Sequence, residues 1–227
     1  MKNNNDIEYI YDKLSSLYPN YSNKKPKAKI YSKAYTSLIG VMLSAQSQDK
    51  RTAVACNQLF DLADTPEEMI KLSREEIIDA IKPAGLFNAK SKNILATSKI
   101  LLEKFNGVVP RTQKELMSLP GVGRKSSDIV MRFVFGEPNI AVDTHVFRML
   151  WRLGWADSLD EGKASITVNN TTPSKYKYGA HMWLITHAKR ICKSSSPGCN
   201  YCVIDPVCDK RDLTIPKSKL RQNLKSL

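Results

Sequence analysis

Apolar residues recur three and four positions apart along almost the whole chain. Ile7, Ile10, Tyr11 and Leu14 form one such stripe, Leu38, Ile39, Met42 and Leu43 a second, and Ile94, Leu95, Ile100 and Leu101 a third. That spacing puts each set on one face of an α-helix, and the alternation expected of a half-buried strand is nearly absent. Helix punctuation is dense. Thr65-Pro66 supplies a cap and a first turn, Ser73 to Glu76 and Thr112 to Glu115 read as capping boxes, and Asn106-Gly107 stops a helix before Pro110. The pattern predicts an all-α fold of roughly ten or more short helices joined by tight turns, with no internal repeat and no low-complexity linker.

Composition leaves that picture intact and adds a partner. The 227 residues are 42% hydrophobic and 25% charged, enough for one large or two small globular domains. Thirty-five Lys and Arg against 22 Asp and Glu give a formal net charge of +13. Such an excess favours a polyanion, with nucleic acid foremost; a solubilising lysine surface is the plainer explanation. The tail after Asp212, with Lys217, Lys219, Arg221 and Lys225, is basic enough to lie on a phosphate backbone. The first six residues are polar, and no window approaches the ~18 apolar residues of a membrane span, so no membrane is expected. Five cysteines, four of them clustered, suit a reducing cytoplasmic compartment, and Cys56, inside an apolar helical stretch, suits packing.

The clustered four carry the most specific chemistry. Cys192, Cys199, Cys202 and Cys208 stand as C-x6-C-x2-C-x5-C. Four thiolates in one short loop can wrap an iron-sulfur cubane, the C-x2-C step supplying two neighbouring ligands and the longer arms the other two. A structural zinc site competes, but it usually brings two close pairs and here there is one. A disulfide framework fits less well still.

A second signal lies at Leu119-Pro120-Gly121-Val122-Gly123-Arg124-Lys125, between the apolar segments Leu116 to Leu119 and Ile129 to Phe135. It has the form of a helix-hairpin-helix. Two glycines allow positive φ and close approach of another backbone, and the helix that follows aims free N–H groups and its positive dipole end outward, where a phosphate would sit. An ordinary glycine-containing connection is the alternative, which the Arg124-Lys125 pair weighs against. Lys125 falls in the first turn of that helix. There the dipole, Arg124 and any burial all disfavour the charged amine, which tunes it toward nucleophilic attack on a sugar carbon, Schiff-base formation and strand cleavage by elimination. Asp143, in P-N-I-A-V-D before Thr144, reads first as a helix cap.

With the hairpin, V-D-T-H at Val142 to His145 and the cysteine loop in this order, the chain resembles the endonuclease III family of helix-hairpin-helix DNA glycosylases. Leu43-Ser44-Ala45-Gln46, Gly85-Leu86-Phe87-Asn88 and His181-Met182-Trp183-Leu184 agree as well, so the resemblance spans nearly the whole sequence. It implies a bifunctional glycosylase and apurinic/apyrimidinic lyase that excises oxidised pyrimidines from double-stranded DNA in base excision repair, acting as a monomer at the nucleoid. It implies Lys125 as nucleophile and Asp143 as the carboxylate that stabilises positive charge on the sugar. It implies a 4Fe-4S cluster on the four cysteines. The fold that goes with it has a six-helix domain bearing the hairpin, at 27–138, and a cluster domain formed by 1–26 and 139–227, with a DNA-binding cleft between them.

On the DNA side the resemblance implies that Gly121, Val122, Gly123 and Arg124 hold the backbone and that Lys193, in the loop from Lys193 to Gly198, meets a phosphate beside Lys189 and Arg190. It further implies that Gln46 fills the space left by the flipped nucleotide and that Leu86 wedges the opposite strand. From the residues alone, Gln46 suits a helix cap and Leu86 a core position. Gln48 and Asp128 depart from the family pattern; Asp128, one turn from Lys125, would raise that amine's pKa. Rival functions are an adenine-mismatch glycosylase, which usually lacks the lysine and adds a C-terminal domain, a non-catalytic cluster-bearing DNA-binding module, and a small electron carrier.

Overall fold

The computed structural model describes residues 2–21, 23–24 and 34–212, so the basic tail and the expected domain crossing at Pro26 lie outside the described residues. Eleven α-helices and no strand occur among the described residues. They are α1 (Asn4–Leu17), α2 (Ala34–Ser44), α3 (Asp49–Phe60), α4 (Pro66–Met69), α5 (Arg74–Ile81), α6 (Phe87–Phe105), α7 (Gln113–Leu116), α8 (Arg124–Phe133), α9 (Thr144–Leu153), α10 (Glu161–Thr171) and α11 (Lys177–Arg190). The chain divides into two compact units, Pro26–Glu137 and Met1–Lys25 with Pro138–Leu227.

Local sequence sets most helix starts. Thr65 accepts from the Glu68 amide with Pro66 in the first turn of α4, and Ser73 and Glu76 close a reciprocal capping box on α5. Each such cap stabilises by about 1 kcal/mol. Thr112 makes only half a box: its Oγ1 accepts from the Glu115 amide and spends its own proton on the Glu115 carboxylate, at 2.6 Å. α6 ends where Asn106 and Gly107 turn left-handed and the Gly107 amide reaches back to the Leu101 carbonyl.

In the central unit α6 is the longest element, and α2, α4 and α5 pack around it. Leu38, Ile39, Leu43, Ile77, Ile94 and Leu101 are wholly buried there, each side chain contributing roughly 1.5–3 kcal/mol. Cys56 packs half-buried against this core, as expected of a small hydrophobe. The helix expected from Leu116 to Leu119 stops at Leu116, and a turn carries the chain on to the hairpin.

The other unit is built on Tyr11. Its ring stacks on Tyr176 at 5.1 Å and meets the edge of Trp155 at 5.6 Å, and its hydroxyl bonds Thr172 Oγ1 at 2.8 Å. Ile7, Ile10 and Leu14, on the same face of α1, are fully buried, and α1 and α9 both pack on α11. α9 ends at Gly154 with φ +74°, where a Cβ would overlap the Asp209 carboxylate, so the last segment of the described chain can close over the helix end.

Candidate functional site

The hairpin is held from beneath by α6. Leu119 and Val122 bury their side chains, Thr97 Oγ1 donates to the Pro120 carbonyl at 3.1 Å, and the Val122 amide bonds the Leu119 carbonyl. Gly121 has φ +79°, and a Cβ on it would lie 2.7 Å from Asn93 Nδ2, so both conformation and space require glycine. Gly123 caps α8 with no side chain to accept the first-turn amides, and nothing lies within 4 Å of where its Cβ would be. The helix therefore begins with uncommitted N–H groups beside open space, the arrangement that accepts a phosphate.

Lys125 is the second residue of α8 and is exposed. Burial, one of the three influences expected on its amine, is absent in the free protein. Arg124 is half-buried and donates to Gln113 Oε1 at 3.1 Å, while Gln113 Nε2 donates to Asp128 Oδ1 at 2.6 Å. Asp128 is 1% exposed. The acid one turn after the lysine is thus turned inward onto Gln113.

Two of the expected site residues are among the six described non-glycine residues with left-handed backbone. Gln46, exposed in the turn after α2, has φ +53°, and Leu86, at the start of α6, has φ +50°. Left-handed backbone costs a non-glycine residue about 1–2 kcal/mol. Neither position matches the plain expectation from its residue type. Gln46 does not cap α3, whose N-cap is Gln48 with no side-chain bond; Leu86 is 56% exposed, not core. A strained, exposed leucine gains nothing for the fold, and such strain collects at functional positions.

In the other unit Asp143 is half-buried and caps α9: its Oδ1 accepts from the amides of His145 at 2.9 Å and Val146 at 2.8 Å. Both bonds fall on Oδ1, leaving Oδ2 outside the cap. Burial lowers the pKa of Arg148, on the same helix, and the nearby Asp143 carboxylate works against that lowering.

Cys192, Cys199, Cys202 and Cys208 are all free and line one pocket together with Met149, Leu153, Ile191 and Ile204. Among the described residues no three His, Cys, Asp or Glu side chains converge to hold a single metal ion. Nitrogens approach two of the sulfurs. Arg152 Nη1 lies 3.6 Å from Cys192 Sγ, and His187 Nε2 lies 3.3 Å from Cys202 Sγ, with its Nδ1 against the Tyr18 hydroxyl. Burial lowers the His187 pKa to about 4 and pushes the Cys202 thiol up to about 11. The Lys193 side chain is exposed, as are those of Lys189 and Arg190.

Residues 39–171 match the family model described as "HhH-GPD superfamily base excision DNA repair protein". The chain belongs to the HhH-GPD superfamily of base excision DNA repair proteins. Within the superfamily it is 38% identical over 210 residues to an endonuclease III of Buchnera aphidicola subsp. Baizongia pistaciae, covering 91% of this chain and 94% of that protein. Among solved structures it is similar to a non-covalent endonuclease III–DNA complex and to a trapped endonuclease III–DNA covalent intermediate. Each has a TM-score of 0.79 and 32% identity, covering 98% of this chain and 100% of theirs.

For this HhH-GPD chain, the supports behind the site were invisible to sequence reasoning. Arg148 and Arg152, one turn apart on α9, pin the start of the cysteine loop. Arg148 donates to the carbonyls of Ala188 and Cys192, and Arg152, only 7% exposed, to those of Lys193 at 2.7 Å and Ser194 at 3.4 Å. Thr97 does the same for the hairpin, donating to the Pro120 carbonyl. The one available signal was two arginines four apart on an otherwise apolar helix face, a placement that calls for buried acceptors.

Proposed function

We propose that this chain is a bifunctional DNA glycosylase and apurinic/apyrimidinic lyase that excises oxidised pyrimidines from double-stranded DNA, with Lys125 as its nucleophile. The observation that carries the assignment is an exposed primary amine at the head of a helix whose uncommitted amides follow a glycine hairpin, in a chain of the base excision repair superfamily. Amides of the Gly121–Gly123 hairpin and the Arg124 guanidinium hold the DNA backbone, which sets the lysine against the sugar.

The chemistry follows from those parts. Lys125 Nζ forms a bond to C1′ as the glycosidic bond breaks and the damaged base leaves with the electron pair and a proton. Asp143, whose Oδ2 is free of the cap, is the carboxylate that stabilises the positive charge developing on the sugar. The ring then opens at O4′ to give the iminium, which acidifies the C2′ proton; its removal expels the 3′ phosphate, and water releases the lysine. Gln46 and Leu86 enter the stack, the amide toward the unpaired base and the leucine between steps.

The four thiols fit a 4Fe-4S cluster. They line one apolar pocket, none is tied in a disulfide, and Arg152 Nη1 and His187 Nε2 lie against two sulfurs of a set that turns anionic when it binds iron. A cubane takes one ligand on each of four irons, a wider cage than a single ion needs. When bound, the cluster supplies cross-linking and charge rather than reaction chemistry. Arg152 and Arg148 fix the loop that offers Lys193 to a phosphate.

A panel of duplexes carrying thymine glycol, hydroxycytosine, uracil or an adenine mismatch tests the assignment. Release of the two oxidised pyrimidines with a nick at the same site is expected. Adenine release that leaves an intact abasic strand would identify a monofunctional mismatch enzyme instead.

A further inference from the structure

Lys90, one turn into α6, is 7% exposed. Its Nζ donates to the Leu43 carbonyl at 2.7 Å and to the Ala84 carbonyl at 3.0 Å. Leu43 is three residues before Gln46 and Ala84 two before Leu86, so one ammonium ties the roots of both left-handed turns. The placement works against the helix: a cation in the first turn opposes the dipole, and burial draws the pKa of this amine down. A buried charge is also a poor means of holding a core together, because apolar residues of similar volume do so as well or better. What a lysine offers here is reach and several directed donors, enough to hold two backbone carbonyls 41 residues apart in sequence at one point.

We propose that Lys90 is a positioning residue for base extrusion, holding the turns of Gln46 and Leu86 as one rigid pair so that both side chains are set before DNA arrives. The proposal rests on the assignment of Gln46 and Leu86 to the DNA stack. Each turn alone has a strained backbone that other conformations would relieve, and the shared ammonium removes that freedom from both together. Without it the two side chains would find their places only after binding, which slows opening of the stack while leaving the lysine nucleophile untouched.

The test is a mutant cycle read by stopped-flow fluorescence on a duplex with 2-aminopurine beside an oxidised pyrimidine, together with single-turnover excision. Lys90→Met is expected to slow both the fluorescence rise and excision by about 10- to 100-fold, the scale of a misplacement near 1 Å. In a Gln46→Ala/Leu86→Ala background, adding Lys90→Met should change neither rate by more than roughly twofold, since the residues it positions are gone. Multiplicative effects in that background, or a wild-type rate for Lys90→Met alone, would overturn the role of Lys90. Wild-type opening by Gln46→Ala/Leu86→Ala would overturn the stack assignment itself and Lys90 with it. Should Lys90→Met fail to fold, Lys90→Gln carries the same cycle. Amide exchange in the free protein gives a second readout: it should quicken at 44–48 and 85–88 together and stay unchanged in α8.

Discussion

Asp143 has two jobs that one pair of substitutions separates. As a cap it accepts two amides on a single oxygen, at 2.9 and 2.8 Å. Asparagine keeps that oxygen and caps as well as aspartate, so Asp143→Asn should lose only the charge–dipole contribution, about 0.3–1 kcal/mol. Asp143→Ala loses the cap as well, about 1 kcal/mol more, which in a chain of this size lowers Tm by roughly 2–4 °C per kcal/mol. The catalytic effect is of another order. A carboxylate about 4 Å from a unit positive charge, at an effective dielectric near 20, stabilises it by about 4 kcal/mol. With a tenfold rate change for about every 1.4 kcal/mol, removing the charge should slow base excision by up to about 10³-fold. Single-turnover excision and thermal melts on both variants decide the matter. The expected result is two equally slow enzymes, of which only Asp143→Ala is clearly less stable. An Asp143→Asn variant within about threefold of the wild-type rate would refute the electrostatic role and leave the residue a cap.

Three further outcomes follow from the hairpin and the cysteine loop. Arg124→Gln should weaken DNA binding and make the slope of log K against log salt shallower by about 0.9, measured by fluorescence anisotropy; an unchanged slope would remove Arg124 from the backbone contacts. Gly121→Ala should destabilise by about 1–2 kcal/mol in thermal melts, because φ +79° disfavours alanine and its Cβ crowds Asn93; a neutral effect would mean the hairpin relaxes. The purified protein should carry about four irons per chain and absorb broadly in the blue, Arg152→Met should lose iron faster to a chelator because the Lys193 and Ser194 carbonyls lose their donor, and stoichiometric zinc would contradict the cluster.

What the sequence displayed and what it hid divide along a physical line. Caps at Thr65 and Ser73, the stop at Asn106-Gly107 and the cysteine spacing are local, each formed by residues within a few positions of one another, and all stand in the structure. Hidden features depend on distant partners. Lys90 bonds a carbonyl 47 residues away, Thr97 one 23 away and Arg148 one 44 away, and a carbonyl acceptor belongs to every residue alike. Leu86 misleads for a related reason: leucine is usually core, and only its left-handed backbone and exposure show otherwise. Asp128 looked like a neighbour of Lys125 by spacing, but its side chain turns inward to Gln113. Lys125 itself sits where the hairpin motif places it, exposed where burial was one of the influences expected on it.

The central claim is that Lys125 forms the bond to DNA. Incubating the protein with a duplex bearing an abasic site and reducing with borohydride should yield a covalent protein–DNA adduct on gels, mapped to Lys125 by mass spectrometry. Lys125→Gln should still bind the duplex and give none. An undiminished adduct in Lys125→Gln, or no adduct from the wild type, would contradict the account.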